Sequence, residues 1–365
     1  AWTKPHPRTP LSHVSTLVRR VKNAQRPIIA LGIQLVRHSL LDKVVSFAEK
    51  NNIPLVTTLL SKSAIDETHP QFMGVFAGKM SRAEISDYVE NSDCLLVLGA
   101  YISDMDTGVY SAQVDPTKVV HATDDRLRVS RHIYEKVGFT DFVNAVTSLS
   151  FDKAFAATYP RVADLPAPGM GDDSAALTVS ALFARLAPMI TAKTVVIADP
   201  GDALFGAIDL PTKDGKDFIA CGYYASLGFA VPAAIGVAAA DSSLRPIVLV
   251  GDGAFQMTGM ELSVAARYGY EPIVIVLNND GYLTERLILE GEFNDITPWH
   301  YANLPAVIGC GHGQVVQTNG EFSEALTDAI ARRGQFTLIE AKLARMDSSD
   351  ALRRLGEAMH QLVSK

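Results

Sequence analysis

Apolar residues enter this chain in short unbroken runs, and between the runs they recur at every third or fourth position. The runs at 27–32 (PIIALG), 94–98 (CLLVL), 246–250 (PIVLV) and 272–277 (PIVIVL) contain no charged side chain. A strand covered by helices on both faces reads this way, because neither face needs a polar partner. Similar runs predict strands at 54–59 and 119–122 in the first part, and at 194–198, 218–221, 314–317 and 336–341 in the second. Helical spacing occupies 11–24, 40–51 and 82–91, then 177–189, 227–239, 259–268, 282–289, 321–332 and 349–362. Strands that alternate with helices form parallel sheets. The expected fold class is α/β, with two doubly wound parallel-sheet domains.

The stretch 159–175 separates the two series. It contains Pro160, Pro166, Pro168, Gly169 and Gly171 and few apolar residues, the composition of an exposed connection. The domains are accordingly drawn at 1–158 and 176–365, with 159–175 as linker. In the first domain Gly32, Gly74 and Gly99 stand near strand ends, but no G-x-G-x-x-G fingerprint is present. A Rossmann-like domain without a bound nucleotide is the preferred expectation.

Composition narrows the function classes. Of the 365 residues, 48% are hydrophobic and 20% charged, which fits well-cored domains rather than disorder. The net charge of −7 gives no reason to expect nucleic-acid binding. The same sign disfavours an anionic ligand at long range, so any phosphate must be held locally by a metal and backbone N–H groups. Cys94, Cys221 and Cys310 are odd in number and widely spaced in apolar surroundings, as buried thiols in a reducing, cytoplasmic compartment would be. No apolar run reaches membrane-spanning length, and no signal peptide is visible. The sequence opens with Ala1, which suggests a fragment or a processed product.

Candidate chemistry gathers between Gly251 and Glu285. The apolar run at 247–250 leads into Gly251-Asp252-Gly253, and the run at 273–277 leads into Asn278-Asn279-Asp280-Gly281. A carboxylate, a carboxamide and pliable backbone then lie at the C-terminal ends of two strands, where open α/β sheets place ligands. Oxygen donors with few carboxylates suit Mg²⁺ shared with a phosphorylated ligand. Asp252 is expected to ligate through its carboxylate, Asn279 through its side-chain oxygen and Gly281 through its carbonyl. The N–H groups of Gly253 and Ala254, at a helix start, are expected to receive a diphosphate. An N-cap role for Asp252 is compatible with ligation. For Asn278 a turn or packing role is preferred.

The pattern GDG, 24 intervening residues, then NN resembles the cofactor signature of thiamine-diphosphate-dependent enzymes. The likeness extends to GYYASLGF at 222–229, GDGAFQMTGMEL and NNDGYLTER, which are similar to the C-terminal cofactor domain of the pyruvate, indolepyruvate and phenylpyruvate decarboxylases. TTLLSKSAIDETHP and SDCLLVLGAYISDMDTG resemble the central domain of the same enzymes. The resemblance implies a thiamine-diphosphate-binding second domain and a Mg²⁺-dependent decarboxylase acting on a 2-oxo acid, with an aromatic substrate closest. It further implies that Leu227 supports the bent cofactor and that the Ala225 carbonyl accepts from its aminopyrimidine. Ser226, Met257, Tyr282 and Asp202 join the cofactor-binding set. Glu285, four residues after Gly281, matches the catalytic glutamate. In this role its carboxyl sits in a poorly solvated pocket and donates the proton that releases an aldehyde. Leu283 and Thr284 are expected to face the substrate.

Enzymes of this kind carry a further domain, which supplies a cofactor-activating glutamate and a pair of adjacent histidines. Neither is found, and the nine histidines include no adjacent pair. The resemblance then implies that the chain is a fragment or one of two subunits, inactive alone and completed by a pyrimidine-binding domain or partner within a homo-dimer or tetramer. Two alternatives stay open: a carboligating relative similar to acetohydroxyacid synthase, and a non-catalytic nucleotide-binding protein.

Overall fold

The apolar runs become the central strands of two separate sheets. The computed structural model describes residues 21–151, 154–155, 158–212 and 217–363, and the chain divides into units Ala1–Leu165 and Pro166–Lys365. Most of the helix expected at 11–24 lies outside the described residues; 21–23 are helical. Among the described residues no helix is long and apolar enough to cross a membrane.

The first unit holds seven strands: β1 (Pro27–Leu31), β2 (Leu55–Thr57), β3 (Phe72–Val75), β4 (Cys94–Leu98), β5 (Val119–Ala122), β6 (Arg126–Val129) and β7 (His132–Glu135), in the order β3-β2-β1-β4-β5-β6-β7. Alternate residues of each central strand feed different cores. Ile29, Leu31, Leu96 and Leu98 pack on one face, and Ile28, Ala30, Leu95 and Val97 on the other. That two-sided burial is why these strands carry no polar positions. β1 to β5 pair in parallel, but β5, β6 and β7 run antiparallel, so this sheet is not wholly parallel as the sequence pattern predicts. β6 reads Arg-Leu-Arg-Val, with Leu127 and Val129 buried and Arg126 exposed. Its alternation with arginines belongs to the antiparallel margin of the sheet, where β7 is the edge, and lacks the apolar run that marks the central strands. The strand expected at 54–59 stops at Thr57, because Thr58 and Ser61 form a capping box that starts a 3₁₀ turn.

Strand order reverses between β1 and β4, the usual ligand crevice of such a sheet. Here the crevice is filled by backbone. The Gly32 N–H donates to the Leu98 carbonyl (2.8 Å) and the Gln34 N–H to the Gly99 carbonyl (3.0 Å). Amides that could cradle a phosphate are thereby engaged, which suits a structural role for this turn. A side chain on Gly32 would overlap the Gly99–Ala100 backbone.

The second unit is a wholly parallel sheet of six strands: β8 (Thr194–Ala198), β9 (Phe218–Ala220), β10 (Arg245–Gly251), β11 (Ile273–Asn278), β12 (His312–Val316) and β13 (Thr337–Lys342), in the order β12-β13-β11-β10-β8-β9. Val195, Ile197, Val248, Val250, Val274 and Val276 build one face of its core. The helix expected to begin at 259 begins instead at Asp252, directly off β10, and breaks at Thr258 before resuming as Leu262–Tyr268. In β10 and β11, Gly251 is paired with Leu277. That register sets Asp252 beside Asn278 and Asn279 at the C-terminal edge.

The backbone approach at Gly32 gives a direct check. Gly32→Ala should destabilise the first unit by roughly 1–3 kcal/mol, the usual cost of overpacking. In urea unfolding, a midpoint equal to that of the parent would contradict the tight approach.

Candidate cofactor and metal site

Asp252 is the centre of the second unit's C-terminal edge. It is 1% exposed, and its two oxygens accept from different elements: one from the Gly253 N–H (2.7 Å), the other from the Gly281 N–H (3.1 Å). It is the first residue of its helix and not the N-cap, which is Gly251. Burial pushes its carboxyl up to about 6, and the charge of Asp280 adds to the push against the backbone hydrogen bonds. A carboxylate so placed gains from a cation. Asn279 is 8% exposed. Among the described residues no three His, Cys, Asp or Glu side chains cluster to hold a metal. The expected site is of another kind, with one carboxylate, one carboxamide and one backbone carbonyl, all hard oxygen donors of the type Mg²⁺ takes alongside phosphate and water. One expectation changes: the Gly253 N–H assigned to a diphosphate is held here by the Asp252 side chain.

The Asn279–Gly281 turn is fixed from its far side by Arg286, which sequence reasoning missed. The Arg286 side chain is fully buried and donates to the Asp280 carbonyl (3.2 Å), the Asn294 carbonyl (3.1 Å), Glu290 (2.8 Å) and Asp295 (2.5 Å). Tyr282 donates its N–H to the same Asn294 carbonyl (2.9 Å). A Cβ on Gly281 would collide with that carbonyl and the Arg286 guanidinium, and its φ of 145° also favours glycine. Asn278 takes the packing role expected of it, donating to Glu340 (2.8 Å), a buried acid that also accepts from the Ala302 N–H.

A second loop, 221–229, leaves β9 and carries Ala225, Ser226 and Leu227. Ala225 has φ 57°, a left-handed conformation that costs an alanine about 1 kcal/mol relative to glycine. Leu227 is 38% exposed and Met257 54%, so Leu227 is not a core leucine in this chain. Gly228 anchors the loop, with its N–H on the Asp199 carboxylate (2.9 Å) and its carbonyl on the Thr258 hydroxyl (2.7 Å). Asp199 also accepts from the Ala230 N–H (2.8 Å) at the start of the helix Ala230–Ala240. Asp-Pro-Gly-Asp reads locally as a turn, which hides Asp199 although it directly follows the buried strand β8.

Three expectations need correction. Glu285 is exposed, so the described residues do not supply the poorly solvated pocket that its proton-donor role requires. Leu283 is 4% exposed and packs inward instead of facing a substrate. Thr284 is half-buried beside the turn after β8, where a Cβ on Gly201 would lie 3.8 Å from its hydroxyl. Asp202 directs its carboxylate to Ser349, accepting from the Ser349 N–H (2.8 Å) and hydroxyl, and therefore away from a cofactor role for that side chain. Tyr282 lies over Gly253, whose Cβ position is 2.5 Å from the ring, and Ala254 is buried behind it.

With this geometry in view, residues 14–148 match the family described as thiamine pyrophosphate enzyme, central domain, and residues 201–341 match thiamine pyrophosphate enzyme, C-terminal TPP binding domain. Indole-3-pyruvate decarboxylase of Azospirillum brasilense is 32% identical over 345 residues, 94% of this chain and 63% of that protein. An alpha-keto-acid decarboxylase of Mycolicibacterium paratuberculosis is 32% identical over 303 residues, covering 81% of this chain and 53% of the relative. One from Mycobacterium tuberculosis is 31% identical over 314 residues, 84% and 56%. The chain thus spans less than two thirds of the length of these relatives.

Burial raises the Asp199 carboxyl to about 6 against its two backbone donors. The folded chain then keeps a proton that an unfolded aspartate, near 3.9, has released. Stability consequently falls as pH rises from about 4 to 6, by on the order of 1 kcal/mol between pH 5 and 7 from this group. Asp199→Asn should remove that share of the pH dependence of the unfolding free energy. Equal slopes in parent and variant over this range would contradict the assignment.

Proposed function

The chain belongs to the thiamine pyrophosphate enzyme family, and we propose that it carries the cofactor- and metal-holding part of a 2-oxo acid decarboxylase. The observation that carries this is the Asp252 carboxylate, buried beside Asn279 and Gly281 with a like charge for a neighbour. A divalent cation at that point converts an electrostatic cost into a bond. In this reading Asp252, the Asn279 side-chain oxygen and the Gly281 carbonyl hold Mg²⁺. The helix start at Gly253 and Ala254 faces the diphosphate, and the Gly253 N–H exchanges its own side-chain partner for the ligand. Leu227 and Met257 offer exposed apolar surface to the rings, and the Ala225 carbonyl accepts from the aminopyrimidine.

Thiamine diphosphate, when bound, supplies the nucleophilic carbon that lets a 2-oxo acid lose its carboxylate as CO2. The chain's part is to position and to move a proton. Glu285, one turn into the helix Leu283–Ile288, is the proposed donor that frees an aldehyde. Its exposure here means that the apolar cover must come from elsewhere in the assembled protein. Tyr223, Tyr224, Leu227, Met257 and Met260, all exposed near this edge, are consistent with such a cover. We therefore also propose that a pyrimidine-binding domain or second subunit completes the site. Indolepyruvate-like acids are proposed substrates on the name of the Azospirillum brasilense relative, and phenylpyruvate-like acids on the sequence resemblance given above.

Calorimetry of the chain with thiamine diphosphate should show binding that requires Mg²⁺. Asp252→Ala should abolish it, while Glu285→Gln should bind within about twofold of the parent, as an exposed carboxylate contributes little to affinity. Metal-dependent binding retained by Asp252→Ala would overturn the site. In a product assay the chain alone should turn over phenylpyruvate and indolepyruvate negligibly, and rapid aldehyde release without an added partner would refute the proposed division of the site.

A further inference from the structure

The diphosphate-and-metal end of the site and the surface offered to the rings belong to different elements. Asp252 opens the helix that follows β10, whereas Leu227 sits in the loop after β9, with β8 between those strands. A defined spacing between Asp252 and Leu227 lets one ligand meet both ends in a single bound conformation. The structure shows how that spacing is set. Gly228, next to Leu227, has both of its polar backbone atoms engaged. Its N–H reaches the Asp199 carboxylate at 2.9 Å, and its carbonyl accepts from the Thr258 hydroxyl at 2.7 Å.

Both partners are tied to the element that carries Asp252. Thr258 closes the same seven-residue helix that Asp252 opens. Asp199 follows β8 and donates its own N–H to the Leu249 carbonyl of β10 (2.9 Å), two residues before Gly251. The approach is close: at Gly228, with φ 82°, a Cβ would lie 3.0 Å from the Thr258 methyl and 3.1 Å from the Met257 Cβ. Asp199 is 0% exposed, so water does not compete for its hydrogen bonds.

We propose that Thr258 and Asp199 are positioning residues that, through Gly228, hold Leu227 at a fixed height above the helix beginning at Asp252. Recognition of the rings is in this way coupled to the diphosphate site. The inference rests on the cofactor reading above. Neither residue touches the ligand, and each acts through the Gly228 peptide. The valine variant of Thr258 keeps the shape and deletes the hydroxyl, so it breaks one bond of the clamp without opening a cavity.

The test compares parent, Thr258→Val and Thr258→Ser for binding of Mg²⁺–thiamine diphosphate and of Mg²⁺–inorganic diphosphate by calorimetry, with amide exchange measured on the ligand-free chains. Thr258→Val should weaken thiamine diphosphate by roughly five- to tenfold, the effect of one hydrogen bond, and leave inorganic diphosphate unchanged. The Gly228 amide should exchange faster in Thr258→Val, and Thr258→Ser should restore both readouts. Equal loss for the two ligands, which a merely structural role would give, overturns the proposal, as does a Gly228 amide that exchanges at the parental rate in Thr258→Val. If the parent binds neither ligand, the cofactor reading fails, and with it the coupling proposed here.

Discussion

The second unit is organised around one buried carboxylate. Asp252 lies where β10 and β11 end side by side, and its oxygens bind the N–H groups of Gly253 and Gly281. A single side chain therefore joins the start of one helix to the turn that leads into the next. Charge is expensive at 1% exposure, and here the nearest charged influence is another aspartate. In the reading proposed above, a cation supplies the missing positive charge. Much of the local architecture reads as support for Asp252.

Two clamps provide that support, one on each side. Arg286 gathers the Asp280 carbonyl, the Asn294 carbonyl and Asp295, and so closes the segment 280–295 onto the turn that carries Asn279 and Gly281. Asp199 and Thr258 close the loop 221–229 onto the other end of the Asp252 helix. In both cases polar side chains, buried for Arg286 and Asp199 and half-buried for Thr258, act on backbone carbonyls and amides, which rigidifies a loop. The first unit takes the opposite course at its own strand-order reversal, where Gly32 lets backbone pack on backbone and the turn's amides are taken up.

How much of this was legible in the sequence depends on the distance over which each feature is encoded. Strands buried on both faces announce themselves as apolar runs, and the central parallel strands are found that way, but β3, parallel and buried yet only four residues long with Gly74 inside, is not. β6 and β7 are missed because their pattern is short and mixed: Arg126 and Arg128 share one face with Ile133 and Glu135, and Leu127 and Val129 share the other with Tyr134 and His132, so neither strand shows an apolar run. Asp252, Asn279 and Gly281 stand out in the sequence as candidates because small, oxygen-bearing residues directly after two buried strands suit a metal turn, and the structure buries Asp252 and Asn279 where those strands end. Asp199, Arg286 and Thr258 are not, since each acts on peptide groups 6 to 31 residues away, and nothing local distinguishes such a residue from a turn, a surface helix position or a cap. Asp202 shows the converse hazard. A carboxylate in the expected turn proved to serve Ser349, 147 residues on. The exposure of Glu285 is equally invisible, because solvation depends on residues far away in the sequence that pack, or do not pack, over a side chain.

The most direct test of the account is to locate the metal. Crystals of the chain grown with thiamine diphosphate and Mn²⁺ in place of Mg²⁺ would reveal the ion by its anomalous scattering. The account predicts one peak within about 2.0–2.3 Å of an Asp252 oxygen, the Asn279 side-chain oxygen and the Gly281 carbonyl, the range for hard divalent ions on oxygen. A bound cofactor with the metal elsewhere, or with Asp252 still hydrogen-bonded only to Gly253 and Gly281, would contradict it.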